Sequence, residues 1–343
     1  MSRILIFGLE NKLAGEVHAN VTRGWAISNG MDVSLILSKD EALKPCLELG
    51  RMIYIDGGVN ADGSKKLPNW AGMIDTPWSG IAPVKVTAYD IPYLMAIRTP
   101  WGNDERSGNS GTLGMRFVEL ANQLGDLCLR EGEVESDGIE RTIKVFNTKT
   151  DWAQLAEHAA AFGLEMQFRP EISADNQLEI YVDIKKRLGQ ATQVILQDGE
   201  GGNMTVQEAS VLGEIVNAAK GYNDGSTETG KLYSDVIMDQ ESIDRYRLRN
   251  RLMQFKTASA TDLETNVKSF LGVNSKPYLQ MKVAINDANG IFSYLRNGNE
   301  LQMRATQIVL PGGREGWSGM VRISAMQYDE SVNQVTMTVL GSL

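Results

Sequence analysis

Apolar and polar residues alternate at period two over much of the chain, and this pattern predicts strands before any other element. In the run from Met31 to Ser38, Met31, Val33, Leu35 and Leu37 share one face, as a half-buried strand requires. Further strands are predicted over Ala14–Arg23, Arg51–Ile55, Trp70–Thr76 and Val84–Tyr89. Turn-rich stretches such as Asp56-Gly57-Gly58 and Asp62-Gly63-Ser64 separate them. Short strands at this spacing predict a small barrel or sandwich over residues 1–98.

The period changes after Thr99. Pro100, Gly102, Gly108 and Gly111 predict a loop, followed by a helix with Leu113, Phe117, Leu120, Ala121 and Leu124 on one face and Thr112 as its cap. A strand over Arg141–Phe146 leads to a second helix, capped by Thr150 or Asp151 and stopped by Gly163. Its inward face is Trp152, Leu155, Ala156, Ala159 and Phe162. Leu178, Ile180, Val182 and Ile184 then return the chain to a sheet.

Strand character resumes over Gln193–Lys220, and the polar loop Asn223–Gly230 follows without apolar anchors. Two helical patterns come next, Asp239–Met253 and Thr261–Leu271, the second opened by a capping box from Thr261 to Glu264 and closed by Gly272. Strands occupy Lys276–Leu343 and end in a hairpin around Asp329-Glu330-Ser331. The predicted fold class is α+β, mainly β. Residues 1–98 form a first antiparallel β-barrel, 99–190 an inserted α/β unit, 191–238 with 276–343 a second barrel, and 239–275 an inserted helical pair.

Charge narrows the function. A net charge of −9 and a pI near 5.0 argue against gripping nucleic acid through its phosphates, which needs a basic face. No run approaches the roughly 18 apolar residues of a membrane span, and the stretch from Met1 to Gly8 is too short for a signal sequence, so synthesis and folding in a cytoplasm are expected. Cys46 and Cys128 are far apart in amphipathic segments and read as buried free thiols.

Little in the sequence carries chemistry. His18 and His158 stand alone, without a second ligand at metal spacing, and both read as structural. The segment Asp198-Gly199-Glu200-Gly201-Gly202-Asn203 has the glycines of an anion cradle, but a strand pattern rather than a helix follows it, so it reads as a hairpin turn. Asp56, Asn60 and Asp62, and Asp287 with Asn289, are fragments of calcium loops without the distal glutamate. No nucleophile elbow is present, so no catalytic, cofactor-binding or metal residue is assigned and no cofactor is expected. Arg245, Arg247, Arg249 and Arg251 alternate with uncharged residues, and the flanking Asp239, Glu241 and Asp244 favour a helix for them. A solvated or inter-subunit salt-bridge face is the role expected of these four arginines, ahead of a nucleic-acid site.

Several segments together resemble the hub proteins of bacteriophage tail tips and baseplates. They are Asn69-Trp70-Ala71-Gly72-Met73-Ile74-Asp75-Thr76-Pro77, Ala88-Tyr89-Asp90 with the apolar turn Tyr93-Leu94-Met95, Lys186-Arg187-Leu188-Gly189, and Asp198 to Asn203. Tyr278 to Val283, Leu295 to Leu301 and the closing hairpin complete the order. The resemblance implies a virion protein at the tail tip: a homotrimeric ring of paired barrels that continues the tail tube, with a tube or distal tail protein above and a spike or fibre below. DNA would pass through its lumen without specific binding. No extra carboxy-terminal enzymatic or fibre domain is expected, so the resemblance does not imply the cell-wall hydrolysis or receptor binding found in larger members. The alternative is a receptor- or carbohydrate-binding tail protein, with Trp25, Trp70, Trp78, Trp101, Trp152 and Trp317 as candidate stacking rings.

Overall fold

The computed structural model describes residues 1–8, 10–26, 31–58, 67–78, 83–100, 104–123, 125–136, 138, 141–145, 148–213, 215–223, 231–255, 259–286, 295–311 and 313–343. The first six strands close on themselves: β1 (Ser2–Phe7), β2 (Leu13–Ala26), β3 (Val33–Leu37), β4 (Met52–Ile55), β5 (Trp70–Trp78) and β6 (Val84–Asp90). They pair in the order β1-β4-β5-β6-β3-β2, and β2 pairs again with β1, so the antiparallel barrel has no free edge. Its interior is the inward half of the period-two pattern: Ile4, Ile6, Val17, Ala19, Val21, Val33, Leu35, Leu37, Ile53 and Ile55 are buried together. Two short helices lie between strands or after them, α1 (Lys39–Ala42) behind the cap Ser38 and α2 (Ile91–Ala96) behind the cap Asp90.

The next unit mixes helix and strand. It comprises β7 (Asp104–Gly108), α3 (Ser110–Ala121), β8 (Leu129–Val134), β9 (Arg141–Val145), α4 (Asp151–Phe162), β10 (Glu165–Ile172) and β11 (Leu178–Lys185). β10, β11 and β8 make one sheet, in which β11 and β8 run parallel, and β7 pairs with β9. Leu113, Phe117, Leu155, Ala159, Met166, Ile180, Val182 and Ile184 fill the space between the helices and the three-stranded sheet. The Thr150 hydroxyl accepts from the Ala153 N–H at 3.2 Å and Gly163 takes φ 60°, so α4 begins and ends as its sequence predicts. The cap of α3 is Asn109 rather than Thr112: its carboxamide accepts from the Thr112 N–H at 3.1 Å.

The chain then forms β12 (Ala191–Gln197) and β13 (Thr205–Leu212), and leaves for a lobe of β14 (Ala218–Tyr222), β15 (Ile237–Met238), α5 (Gln240–Tyr246), β16 (Asn250–Gln254) and α6 (Ala260–Asn274). It returns as β17 (Tyr278–Asn286), β18 (Glu300–Leu310), β19 (Arg314–Asp329) and β20 (Gln334–Ser342). The second barrel-like unit has the order β12-β18-β19-β20-β17-β13, antiparallel except for the parallel pair β12 and β18. β13 also lies against β18, so the sheet curls around Leu279, Met281, Val283, Leu301, Met303, Val321, Ile323, Met337 and Val339. The two units share one hydrogen-bonded sheet, because Thr22 to Ala26 of β2 pairs with Ala325 to Asp329 of β19.

The lobe corrects several element assignments. Only Gln240–Tyr246 of the Asp239–Met253 pattern is helical; Arg247, at φ 65°, ends the helix, and Asn250–Gln254 becomes a strand parallel to β14. Ala218–Tyr222, read as continuous with the strands before it, belongs to this separate sheet. Residues 239–275 are therefore helix, strand and helix rather than a helical pair. α6 starts one residue earlier, at Ala260 behind the cap Ser259, and runs through Gly272 to Asn274. Of the polar loop 223–230 only Asn223 lies within the described residues, as do none of Asn60, Asp62, Asp287 and Asn289.

Candidate assembly surface

Two built-in joints hold the units in register, and a third braces the second barrel-like unit internally. At the first, Arg23 continues the inward parity of Val17, Ala19 and Val21 to the end of the closed barrel and is 3% exposed. Its guanidinium carbon lies 5.5 Å from the Trp25 ring and 5.9 Å from the Tyr328 ring, and it donates to the Asp56 carbonyl at 3.0 Å. Burial pulls its pKa down to about 10, against the pull of the Glu330 carboxylate, so it remains cationic at neutral pH. One buried cation between two aromatic faces thus sits where β2 meets β19.

At the second joint, Arg322 of β19 ion-pairs through both terminal nitrogens with Glu165, the first residue of β10. It also donates to the Leu188 carbonyl at 2.8 Å and, through Nε, to the Gly298 carbonyl at 3.1 Å. Glu165 in turn accepts from the Leu188 N–H at 2.6 Å. The pairing with Glu165 is the main cause raising the Arg322 pKa. Removing Arg322 leaves the Glu165 carboxylate without its main partner, so Arg322→Ala is expected to destabilise by about 2 kcal/mol, discounted for partial exposure. A double-mutant cycle with Glu165→Ala, read by urea unfolding, should recover a coupling of about 1 kcal/mol or more; additive effects would remove the pair from this role.

The third joint is the turn between β12 and β13. Asp198 is 3% exposed and accepts from the Thr306 N–H and hydroxyl, each at 2.7 Å, and from the Gln307 N–H at 3.1 Å. These N–H groups lie in the irregular stretch of β18 where its register with β19 shifts between Ala305 and Val309. Burial raises the Asp198 pKa, but the hydrogen bonds together outweigh it and hold the carboxyl below its ordinary value. The glycines serve the turn: Gly199 and Gly201 take φ 89° and 73°, and the Asn203 N–H bonds back to the Gln197 carbonyl at 2.9 Å.

A groove of about 1320 Å³ opens where the three units meet, lined in part by Trp25, Tyr54, Phe168, Arg169 and Arg296. Asn69 crosses beside it, accepting from the Trp25 indole and donating to the Pro170 carbonyl. Among the described residues Trp25 and Trp70 line the groove, while Trp152 and Trp317 lie away from it. Trp70 and Trp317 are buried, Trp152 packs on the core of the α/β unit, and the side chains of Trp78 and Trp101 lie outside the described residues.

His158 is buried, with Nε2 2.7 Å from the Ser110 carbonyl and its ring between Phe117 and Phe162. His18 sits on β2 with its backbone N–H bonded to Glu41, as strand alternation with the buried Val17 and Ala19 expects. Cys46 and Cys128 are free, and burial pushes the Cys128 thiol up to about 12. Among the described residues no three His, Cys, Asp or Glu side chains converge as a metal-holding group, and no helix is long and apolar enough to cross a membrane. The four arginines do not share one helix face: Arg245 is in α5, Arg247 and Arg249 flank the connection, and Arg251 is in β16. Sequence reasoning missed Arg23, the Glu165–Arg322 pair and, although it placed Asp198 in a glycine-rich turn, the anchoring of β18 by that carboxylate. A signal existed for Arg23 and Asp198, because each polar residue extends an inward apolar parity by one step.

No family model matches the sequence, and no curated protein matches it. Solved structures do. The prophage tail protein gp18 from Listeria monocytogenes EGD-e superposes with a TM-score of 0.61 at 10% identity, over 100% of this chain and 95% of that one. The 43 kDa tail protein of prophage MuSo2 from Shewanella oneidensis gives 0.56 at 12% identity, over 98% and 97%. The E. coli c3393 protein, described as a component of the type VI secretion system with structural similarity to the T4 bacteriophage tail proteins gp27 and gp5, gives 0.50 at 11% identity, over 98% and 76%. The chain shares the fold of these tail proteins across nearly its whole length.

Proposed function

We propose that the chain is a structural hub protein of a phage-type tail tip or baseplate, located in the virion after synthesis in the host cytoplasm. Three copies form a closed ring that continues the tail tube, and a central spike or fibre seats beneath it. The observation that carries this reading is the continuous sheet through β2 and β19, which fixes two six-stranded barrel-like units side by side in one chain. Three such chains present six similar docking faces on a three-fold body, the form needed between a six-fold tube and a three-fold spike. Likeness to tail proteins, and to a protein compared with gp27 and gp5, supports the same reading.

The bore is expected to be acidic or neutral, since DNA passes without adhering and the chain carries −9. Arg245, Arg247, Arg249 and Arg251 then serve contacts between subunits rather than the lumen. Native mass spectrometry and imaging of the assembled ring test the proposal. Three copies with six barrel-like faces are expected; six copies per ring, or all four arginines pointing into the bore, would overturn it.

A further inference from the structure

The lobe from β14 to α6 has one covered face and one open face. Its sheet runs β15-β14-β16, and residues of alternate parity on β14 point to opposite sides. Ala219 and Gly221, with their neighbours Ile237, Arg251 and Met253, face α6; a Cβ at Gly221 would meet Val267 at 2.9 Å. Lys220 and Tyr222 face the other way, beside Leu252 and Gln254; Ala218 shares this parity opposite Met238 but is itself buried, so the open part of the face lies around Met238, Lys220 and Leu252. Met238 and Leu252 are 58% and 61% exposed, and Leu248, Val236 and Tyr233 around them are also exposed. Lys220 lies 5.2 Å from the Tyr233 ring, whose other neighbour is Tyr222.

Two further observations say what belongs on this face. Among the described residues the lobe's fully buried cluster is Val216, Ala219, Val267 and Leu271, with Ile237, Met253, Phe255 and Phe270 partly buried against it, and the main packing partners of its elements are one another. A unit this small gains much of its stability from burial elsewhere. Across residues 213–277, Lys and Arg equal Asp and Glu in number, so the chain's net charge of −9 lies entirely outside the lobe. The open face itself holds Lys220, and Arg247 and Arg249 border it on either side of Leu248. Its electrostatic complement is the acidic body of another copy of this chain.

We infer that the open face of β15-β14-β16 docks on the body of the neighbouring copy and is a subunit interface of the assembled ring. The inference rests on the ring reading above and names the surface that reading lacked. The contact is heterologous: the lobe of one copy meets the body of the next, not another lobe, so it propagates around a ring and closes.

Full-length wild type, Leu252→Glu, Met238→Glu and Val273→Glu, the last on the outer side of α6 in the same lobe, are compared by sedimentation and native mass spectrometry. A charge buried in the interface should weaken self-association by at least about tenfold in Leu252→Glu and Met238→Glu, while Val273→Glu assembles as wild type. Hydrogen exchange of wild type above and below the assembly concentration provides a second readout, with protection of residues 250–254 rising on assembly. Unchanged association in both variants, equal weakening in all three, or unchanged exchange would each overturn the inference while leaving the ring intact. Loss of another tail protein's binding with copy number unchanged would assign the face to that protein and overturn it too. Wild type that stays monomeric would instead defeat the ring reading.

Discussion

Gly189→Ala should destabilise the folded chain by about 2–5 kcal/mol, more than most single methyl additions. Gly189 has φ 76°, a left-handed conformation that costs a residue with a Cβ about 1–2 kcal/mol. An added Cβ would also fall 2.1 Å from the Gly298 carbonyl carbon and 2.4 Å from the Asn299 nitrogen. Both are backbone atoms, so no side-chain rotation can relieve the overlap. Gly298 returns the constraint: it has φ 84°, and its Cβ would lie 2.5 Å from the Leu188 carbonyl oxygen. The two glycines let the segment leaving β11 press against the segment entering β18, beside the Glu165–Arg322 pair. Gly201→Ala separates the two contributions, because Gly201 has φ 73° but nothing within 4 Å of its added Cβ. Thermal unfolding should rank wild type above Gly201→Ala and Gly201→Ala well above Gly189→Ala. Equal melting of the two variants would show that the close approach carries no energy.

How much of this was legible beforehand depends on the range of the interaction. Caps and stops made within one turn, such as Thr150 and Gly163, could be read, because the groups that satisfy them are sequence neighbours. Strands of the closed barrel were visible in the alternation of Val33, Leu35 and Leu37, but the pairing of β1 with both β2 and β4 was not, since alternation names a face and not a partner. The arginine run failed for a related reason. Asp239, Glu241 and Asp244 do start a helix, yet the distant strand Ala218–Tyr222 captures Asn250–Gln254 in a parallel ladder, and a long-range pairing overrides local preference. Asn109 and Thr112 are both capping residue types, and only the geometry shows that Asn109 accepts. For the candidate surface, sequence order suggested the hub resemblance, while the joints at Arg23, Asp198 and Arg322 join residues from distant parts of the chain.

Asp198 gives the second large effect and the one that depends on pH. In Asp198→Ala the Thr306 and Gln307 N–H groups lose their acceptor at an irregular point of β18, and leaving buried donors unmatched costs about 2–4 kcal/mol in total. The turn would lose its hold on β18, so the β12 and β13 side of the second unit should open first; hydrogen exchange at 305–308 should quicken more than exchange in the closed barrel. The pH dependence follows from the direction of the shift. Because the folded pKa lies below the unfolded one, the Asp198 contribution is fully present above the unfolded value of about 3.9 and is lost as pH falls through the folded value. The stability gap between wild type and Asp198→Asn should therefore be widest near pH 7 and should narrow as the pH is lowered through and below the ordinary carboxylate range. Urea unfolding at a series of pH values measures it. A gap that stays constant down to the acid limit would mean that the neutral amide anchors β18 as well as the carboxylate does, and that the charge on Asp198 contributes nothing to holding the turn.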